Sequence, residues 1–250
     1  MFNALILAGM KEKGPLEIAE KVDNKALIML NGRPMIEYIV DALNNSENID
    51  KIIVVGPKNE LHPYIGKKVE EILNPGNSIL ENMERGLNFF NSDDSLLILT
   101  SDIPLITPEA IDEFLNICTK RKLCIGYPII TKENIIEIYP ETERTYVKMK
   151  EGILCGGNIV FFKPEVFFQN KELIQGLFNN RKNNLKNAKI LGLKCILKFL
   201  FKTLTIEDAE KRVTNIIGYN SGAVMVSYPE IMIDLDKPSD LKLIRKCLEK

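Results

Sequence analysis

The stretch SLLILTSDIPL at residues 95–105 places an aspartate directly after a run of large apolar residues. Two similar runs come earlier in the chain, NALILA at 3–8 and KIIVVG at 51–56. Short continuous runs of this composition are typical of strands that are buried on both faces of a parallel sheet. Asp102, which follows the third run, would then lie at the carboxyl edge of the sheet, where open parallel sheets bind ligands.

Helical patterns alternate with these runs. They lie at 34–44, at 77–90 and at 107–120, and the last opens with a threonine and a proline that are typical of a helix start. Strands that alternate with helices predict an α/β fold with a mostly parallel, doubly wound sheet.

The second half has a different pattern, with shorter strand-like pieces and several glycines. Strands are predicted at 123–130, 145–149, 158–162 and 223–228, helices over about 170–215, and a closing helix from Pro238. Because no repeat or low-complexity linker separates the halves, we expect a single domain over 1–250. Its second half would extend the same sheet and carry a helical insertion at about 170–215.

Composition excludes several classes of protein. The 33 Lys and Arg residues balance 34 Asp and Glu residues, which argues against a nucleic-acid partner. The sequence shows neither a secretory signal nor an apolar run of about 20 residues, so we expect a cytoplasmic protein. Five widely spaced cysteines predict free thiols rather than disulfides or a zinc site. The single histidine, His62, is interpreted as a surface loop residue, which leaves no histidine for a Ser-His-Asp catalytic triad.

Three segments carry residues that could perform chemistry. Gly9 and Gly14 have the spacing of a P-loop, but its lysine and hydroxyl residues are absent, so the loop is either a phosphate cradle or a plain turn. Asp102 either helps to hold Mg²⁺ or caps a turn at Pro104. Asp234 and Asp236 lie on one side of an extended segment, where they either share a metal or prepare the helix that follows.

Together these motifs resemble the MobA-like nucleotidyltransferase family, which is related to molybdenum-cofactor guanylyltransferase and to the sugar-phosphate nucleotidyltransferases. The resemblance covers nearly the whole chain. It rests on ALILAG (4–9), NKAL (24–27), LNGRPMI (30–36), TSDIPL (100–105), GGNI (156–159) and DLDKPSDL (234–241).

The resemblance implies a nucleotide-diphosphosugar transferase-like fold and a role for each matching residue. Residues 1–120 would form the nucleotide-binding half and residues 121–250 the acceptor-binding half. Lys25, Asp102 and Asp236 would be catalytic, and the two aspartates would hold Mg²⁺. The nucleotide would be bound by Leu7, Ala8, Gly9, Lys11, Lys13, Lys25, Asn77, Ser78 and Ser101. The acceptor would contact Gly157 and Asn158.

The implied reaction moves a nucleoside monophosphate from a nucleoside triphosphate to a small phosphorylated acceptor and releases pyrophosphate. An ionised phosphate is already a usable nucleophile, so the reaction needs charge neutralisation and positioning rather than a strong base. Two alternatives stay open. Asp234-Leu235-Asp236 matches the Asp-x-Asp pattern of GT-A glycosyltransferases. Met10, which stands where the family has a second glycine, would also fit a nucleotide-binding regulator without turnover.

Residues 181–202 form a basic block with seven basic residues and no acidic one. Apolar residues recur at helical spacing within it, which predicts an amphipathic helix. Such a helix either packs on the core with solvated lysines or makes a weak contact with an anionic membrane surface.

Overall fold

The computed structural model describes residues 1–9, 14–179 and 192–249. Two short strands within this part pair as a separate hairpin, and the other nine form one sheet. In chain order the strands are β1 (Phe2–Leu7), β2 (Met29–Leu30), β3 (Arg33–Pro34), β4 (Ile49–Val55), β5 (Glu71–Leu73), β6 (Leu96–Thr100), β7 (Ile125–Thr131), β8 (Val147–Met149), β9 (Gly152–Gly156), β10 (Ile159–Phe162) and β11 (Ser221–Met225).

The order of the strands joins a parallel half to a mixed half. Among the described residues the sheet runs β5-β4-β1-β6-β10-β7-β9-β8, and β11 pairs with β7. β5, β4, β1 and β6 are all parallel. β10 is antiparallel to both β6 and β7, whereas β11 is parallel to β7. The second half therefore extends the same sheet, as its pattern predicts.

Helices cover both faces of the sheet. In the described residues they are α1 (Pro15–Ala19), α2 (Met35–Asn44), α3 (Lys58–Ile65), α4 (Ile79–Leu87), α5 (Pro108–Lys120), α6 (Lys132–Ile138), α7 (Pro164–Gln169), α8 (Lys171–Asn179), α9 (Leu193–Leu200), α10 (Ile206–Ile217) and α11 (Pro238–Leu248).

β1 shows how the sheet separates two apolar layers. Ala4 and Ile6 belong to one core with residues of α2 and α5, whereas Leu5 belongs to the other core with residues of α4 and α7. Alternate side chains of a strand point to opposite faces, so a fully apolar strand is buried on both. The predicted α/β class and doubly wound sheet are confirmed.

Several predictions about local elements need correction. His62 lies in α3, not in a loop, although its side chain is exposed as expected. α6 and β9 were not predicted from the sequence. The antiparallel pairings of β10 were also missed, because strand direction depends on tertiary contacts rather than on hydrophobic pattern.

The basic block is described only in part. Residues 180–191 lie outside the described residues, and α9 covers Leu193–Leu200. Leu200 and the following Phe201 are exposed, at 67% and 74%. No helix in the described part of the chain is long and apolar enough to cross a bilayer. Weak contact between the basic block and a membrane surface stays a prediction.

A close approach between α4 and β1 gives a test of the packing. A Cβ atom on Gly86 would lie 2.3 Å from Leu5 Cδ1. We expect Gly86→Ala to destabilise the protein, because overpacking costs about 1–3 kcal/mol and outweighs the gain of about 1 kcal/mol in helix propensity. Urea unfolding measures the change in the free energy of unfolding.

Gly176→Ala is the matched control, because it is also in a helix but a Cβ atom there meets no atom of the described residues within 4 Å. It should stabilise the protein by up to about 1 kcal/mol. Equal effects of the two substitutions would contradict this account of the α4–β1 contact.

Candidate active site

The carboxyl ends of β1 and β6 lie side by side and carry the predicted site residues. Leu7 pairs with Thr100 in parallel register, so Ala8 and Gly9 on one strand and Asp102 on the other reach the same edge of the sheet. The carbonyl oxygen of Asp102 accepts a hydrogen bond from the Leu235 N–H at 2.9 Å. This bond brings the segment that contains Asp234 and Asp236 to the same edge.

Three carboxylates and one ammonium group form the centre of this edge. Oxygen atoms of Asp102, Asp234 and Asp236 all lie within 4.8 Å of one another. The Lys25 Nζ donates to Asp102 Oδ2 at 2.6 Å and to Asp236 Oδ1 at 2.8 Å. The Thr100 hydroxyl donates to the other oxygen of Asp102 at 2.5 Å. The structure thus brings together the three residues that were predicted to be catalytic.

The charges in this cluster shift one another's proton affinity. Burial, which would lower the pKa of Lys25, is outweighed by Asp102 and Asp236, so the pKa of the ammonium group is raised. Burial, which would raise the pKa of Asp236, is likewise outweighed by the hydrogen bond and charge of Lys25, so that pKa is lowered. Both groups are therefore charged at neutral pH.

A buried asparagine fixes the backbone that carries Lys25. Lys25 opens a short 3₁₀ turn, Lys25–Leu27, and Asn24 caps it by accepting from the Ala26 N–H at 2.8 Å. The other end of the Asn24 amide donates to the Ala8 carbonyl at 2.7 Å. One side chain therefore ties the lysine turn to the end of β1.

Arg144 holds the first carboxylate of the Asp234-Leu235-Asp236 segment. Only 7% of its side chain is exposed, and its Nη1 donates to Asp234 Oδ1 at 2.5 Å. Its Nη2 donates to the Asp234 carbonyl at 3.1 Å and to Asp240 Oδ1 at 3.2 Å. Burial raises the pKa of Asp234 to about 6 despite the opposing charge of Arg144.

Asp240 connects the guanidinium of Arg144 to the backbone of Asp236, a candidate metal ligand. Its Oδ2 accepts from the N–H groups of Asp236 at 3.0 Å and Lys237 at 2.9 Å, at the start of α11. Arg144 and Asp240 thus fix the chain on both sides of Asp236. The two aspartates that looked equivalent in sequence are held by different cations, Asp234 by Arg144 and Asp236 by Lys25.

A second asparagine joins the end of β1 to the loop before α4. The Asn82 Oδ1 accepts from the Gly76 N–H at 2.6 Å, and its Nδ2 donates to the Gly9 carbonyl at 3.3 Å. A Cβ atom on Gly9 would lie 2.4 Å from Asn82 Nδ2 and 2.7 Å from Pro75 Cβ, so glycine permits this close approach.

The other residues predicted to bind the nucleotide occupy different environments. Asn77 and Ser78 are exposed, and the Ser78 hydroxyl caps α4 by accepting from the Glu81 N–H at 3.1 Å. Ser101 is buried, with 7% of it exposed. Lys11 and Lys13 lie outside the described residues. Their roles stay predictions.

A polar cavity of about 370 Å³ opens beside the cluster. Asn158 lines it, and its backbone joins β6 to the C-terminal segment through bonds with Thr100 N–H and the Ile231 carbonyl. Gly157 packs closely against Ile231, where a Cβ atom would lie 2.7 Å from Cγ2. Six further charged or hydroxyl residues line the cavity: Glu143, Arg144, Thr145, Asp234, Asp236 and Lys237.

The donor set suits a divalent cation that prefers oxygen ligands. Carboxylate oxygens are the ligands that Mg²⁺ takes from proteins, usually one or two at a time with phosphate and water oxygens. Within the described residues the cluster offers three such carboxylates. Asp102 and Asp236, which point to the same ammonium group, are the two best placed to act together.

Sequence reasoning missed the residues that position the site. Asn24 and Asp240 each carry a weak signal, because asparagine and aspartate are common caps of turns and helices. Arg144 and Asn82 carry none that a single sequence shows. Arg144 lies in an irregular loop that no motif marks, and Asn82 lies within a helix whose pattern records only the apolar face.

Comparison with known proteins identifies relatives of this chain. A family model described as the MobA-like NTP transferase domain matches residues 19–176. The chain is 25% identical over 223 residues to the Hydrogenobaculum sp. bifunctional protein GlmU. This match covers 79% of this chain and 47% of that protein. The chain is also 28% identical over 120 residues to the 2-C-methyl-D-erythritol 4-phosphate cytidylyltransferase of Clostridium beijerinckii. This match covers 45% of this chain and 51% of that protein. The chain spans about half the length of the curated relatives it matches.

Solved structures share the fold. A hypothetical transferase from Thermus thermophilus superposes with a TM-score of 0.85 at 31% identity, over 96% of this chain and 99% of that one. The CTP complex of CMP:2-keto-3-deoxy-manno-octonic acid synthetase superposes with a TM-score of 0.65 over 100% of this chain and 99% of that one. At 13% identity the second match shows the fold alone.

Arg144 should be essential for the stability of this site. We expect Arg144→Met to lower the free energy of unfolding by about 3–5 kcal/mol, because it leaves the partly buried carboxylate of Asp234 and the buried carboxylate of Asp240 without the guanidinium that compensates their charge. Burial raises the folded-state pKa of Asp234, so acid protonates it in the folded protein before the unfolded chain. The penalty should therefore shrink as the pH falls from about 7 to about 5.

Lys246→Met is the control for this experiment, because it removes an exposed ion pair with Glu141. It should cost less than about 1 kcal/mol. Urea unfolding at both pH values gives the comparison. A similar loss of unfolding free energy for both variants would show that Arg144 does not stabilise Asp234 and Asp240 as described.

Proposed function

The chain belongs to the MobA-like NTP transferase family, and from this premise we propose that it moves a nucleoside monophosphate from an NTP to a small phosphorylated acceptor. An oxygen of the acceptor phosphate attacks the α-phosphorus in line. The bond from the α-phosphorus to the oxygen that bridges it to the β-phosphorus breaks, and pyrophosphate leaves with that oxygen and its electron pair. No proton transfer is needed when the attacking phosphate is ionised.

One observation carries this proposal. At the carboxyl edge of the parallel strands, Lys25 lies 2.6 Å from Asp102 and 2.8 Å from Asp236. Two carboxylates and a lysine are the groups that phosphoryl-group chemistry requires, because its transition state spreads negative charge over several oxygens. Among the described residues, neither a histidine nor a reactive cysteine lies in this cluster.

Each residue assigned to the site would then have a defined role. Asp102 and Asp236 would hold a divalent cation, which when bound neutralises charge on the phosphate oxygens. Lys25 would contact the triphosphate as a mobile point charge. The backbone of Leu7, Ala8 and Gly9 would receive the nucleotide at the end of β1, beside the loop that Asn82 joins to Gly9.

The cavity beside the cluster is the proposed acceptor site. Its lining combines two cations, Arg144 and Lys237, with polar and acidic groups, namely Thr145, Asn158, Glu143, Asp234 and Asp236. This lining suits a small, polar molecule better than an apolar one. The name of the Clostridium beijerinckii relative gives a phosphorylated acceptor, which supports the same class for this chain.

A pyrophosphate-release assay tests the proposal. Four NTPs are each incubated with Mg²⁺ and a panel of sugar, alcohol and cofactor phosphates, and at least one combination should release pyrophosphate. We expect Asp102→Asn to lower the turnover rate by about 100-fold or more, because it removes one carboxylate that holds the cation.

Asp93→Asn is the matched control, because Asp93 is an exposed residue of the loop before β6. It should keep the wild-type rate. Full Mg²⁺-dependent activity of Asp102→Asn would refute the assigned role of Asp102. Release of a sugar from a nucleotide-sugar without pyrophosphate would favour a glycosyltransferase, and nucleotide binding without turnover would favour a regulator.

A further inference from the structure

Lys25 and a divalent cation need the same two carboxylates. The ammonium group donates to Asp102 Oδ2 and to Asp236 Oδ1, which are the side chains that would hold the metal. The proposed function also assigns Lys25 to the triphosphate. Lys25 therefore has two sets of partners, and it cannot engage the carboxylates fully while it engages the phosphates.

The contact with the carboxylates is well supported by the surrounding structure. The Lys25 side chain is 12% exposed, and its backbone is fixed by the buried amide of Asn24. The three clustered carboxylates would repel one another if no cation lay near them. Lys25 is thus a strong intramolecular competitor for any cation that approaches Asp102 and Asp236.

The second cation of the cluster is held in a different way. The planar guanidinium of Arg144 is 7% exposed and is bonded to the Asp234 carboxylate, the Asp234 carbonyl and Asp240. Arginine in such a fork is fixed, whereas a lysine ammonium is a point charge on a flexible stem. Of these two cations, Lys25 is the one that can exchange partners without disturbing the backbone.

We propose that Lys25 is an exchangeable counter-ion which makes the loading of the divalent cation depend on the arrival of the nucleotide. The inference rests on the proposed function, because it requires a polyphosphate ligand. Without nucleotide, Lys25 engages Asp102 and Asp236 and lowers their affinity for metal. When a triphosphate binds, its oxygens become the new partners of Lys25, and the two carboxylates become available to the metal that accompanies the nucleotide.

The exchange conserves ion pairs, which is why it needs little net energy. Lys25 leaves two carboxylates and gains phosphate oxygens, while the carboxylates lose an ammonium group and gain a divalent cation. Each charge is compensated before and after, so no buried charge is left alone. Departure of pyrophosphate would return Lys25 to the carboxylates and close the cycle.

Binding of Mn²⁺ alone to the full chain, followed through the EPR signal of the free ion, tests this proposal. If Lys25 blocks the carboxylates in about nine molecules of ten, its removal should tighten Mn²⁺ binding about 10-fold. We expect this gain for both Lys25→Met and Lys25→Gln. The same variants should bind a non-hydrolysable NTP analogue about 10-fold more weakly, because they lack the lysine that contacts its phosphates.

Two controls separate exchange from a general loss of positive charge. Lys25→Arg keeps a cation at the carboxylates, so its Mn²⁺ affinity should not exceed that of the wild type. Lys237→Met removes an exposed lysine that follows Asp236 directly but donates to Glu143 at 3.0 Å. It should change Mn²⁺ affinity less than about twofold, because a solvent-exposed charge is largely screened.

The outcome is decisive in either direction. Opposite changes in affinity for Mn²⁺ and for the NTP analogue would establish the exchange. Unchanged or weaker Mn²⁺ binding by folded Lys25→Met and Lys25→Gln would overturn it, as would an equal gain for Lys237→Met. Because Mn²⁺ binding requires neither acceptor nor turnover, its result is independent of the pyrophosphate-release assay that tests the proposed function.

Discussion

Three carboxylates within 4.8 Å of one another impose the constraint on which the site depends. Such a group is stable in a folded protein only when cations lie close to it, because like charges at this distance repel strongly. Lys25 compensates Asp102 and Asp236, and Arg144 compensates Asp234. The two cations come from segments far apart in sequence, so the cluster depends on tertiary contacts.

The fold meets this constraint through the register of a few strands. β1 and β6 are parallel neighbours, so the residues that follow them reach the same edge. A backbone hydrogen bond from Leu235 to Asp102 then brings in the C-terminal segment. Two buried asparagines, Asn24 and Asn82, tie the adjoining loops to Ala8 and Gly9. The chemistry of the edge is thus supported mainly by side chains that do not themselves carry it.

Sequence patterns predict the parallel half of the sheet well and the mixed half less well. The runs that became β1, β4 and β6 are continuously apolar, because both faces of each strand are buried. β9 is short and only partly buried, and its pattern does not distinguish a strand from a loop. His62 illustrates a similar error, because the segment around it was interpreted as a loop and α3 forms there.

The sequence by itself determined the α/β class and the order of the main elements, since these follow from hydrophobic period, and the resemblance of its motifs to a known family singled out Lys25, Asp102 and Asp236. Only the tertiary structure decided which cation faces which carboxylate. Asp234 and Asp236 are two residues apart and look alike in sequence, yet Arg144 holds one and Lys25 the other. That division depends on a contact between residues 90 positions apart and on another between residues 211 positions apart. A local sequence pattern does not record such contacts.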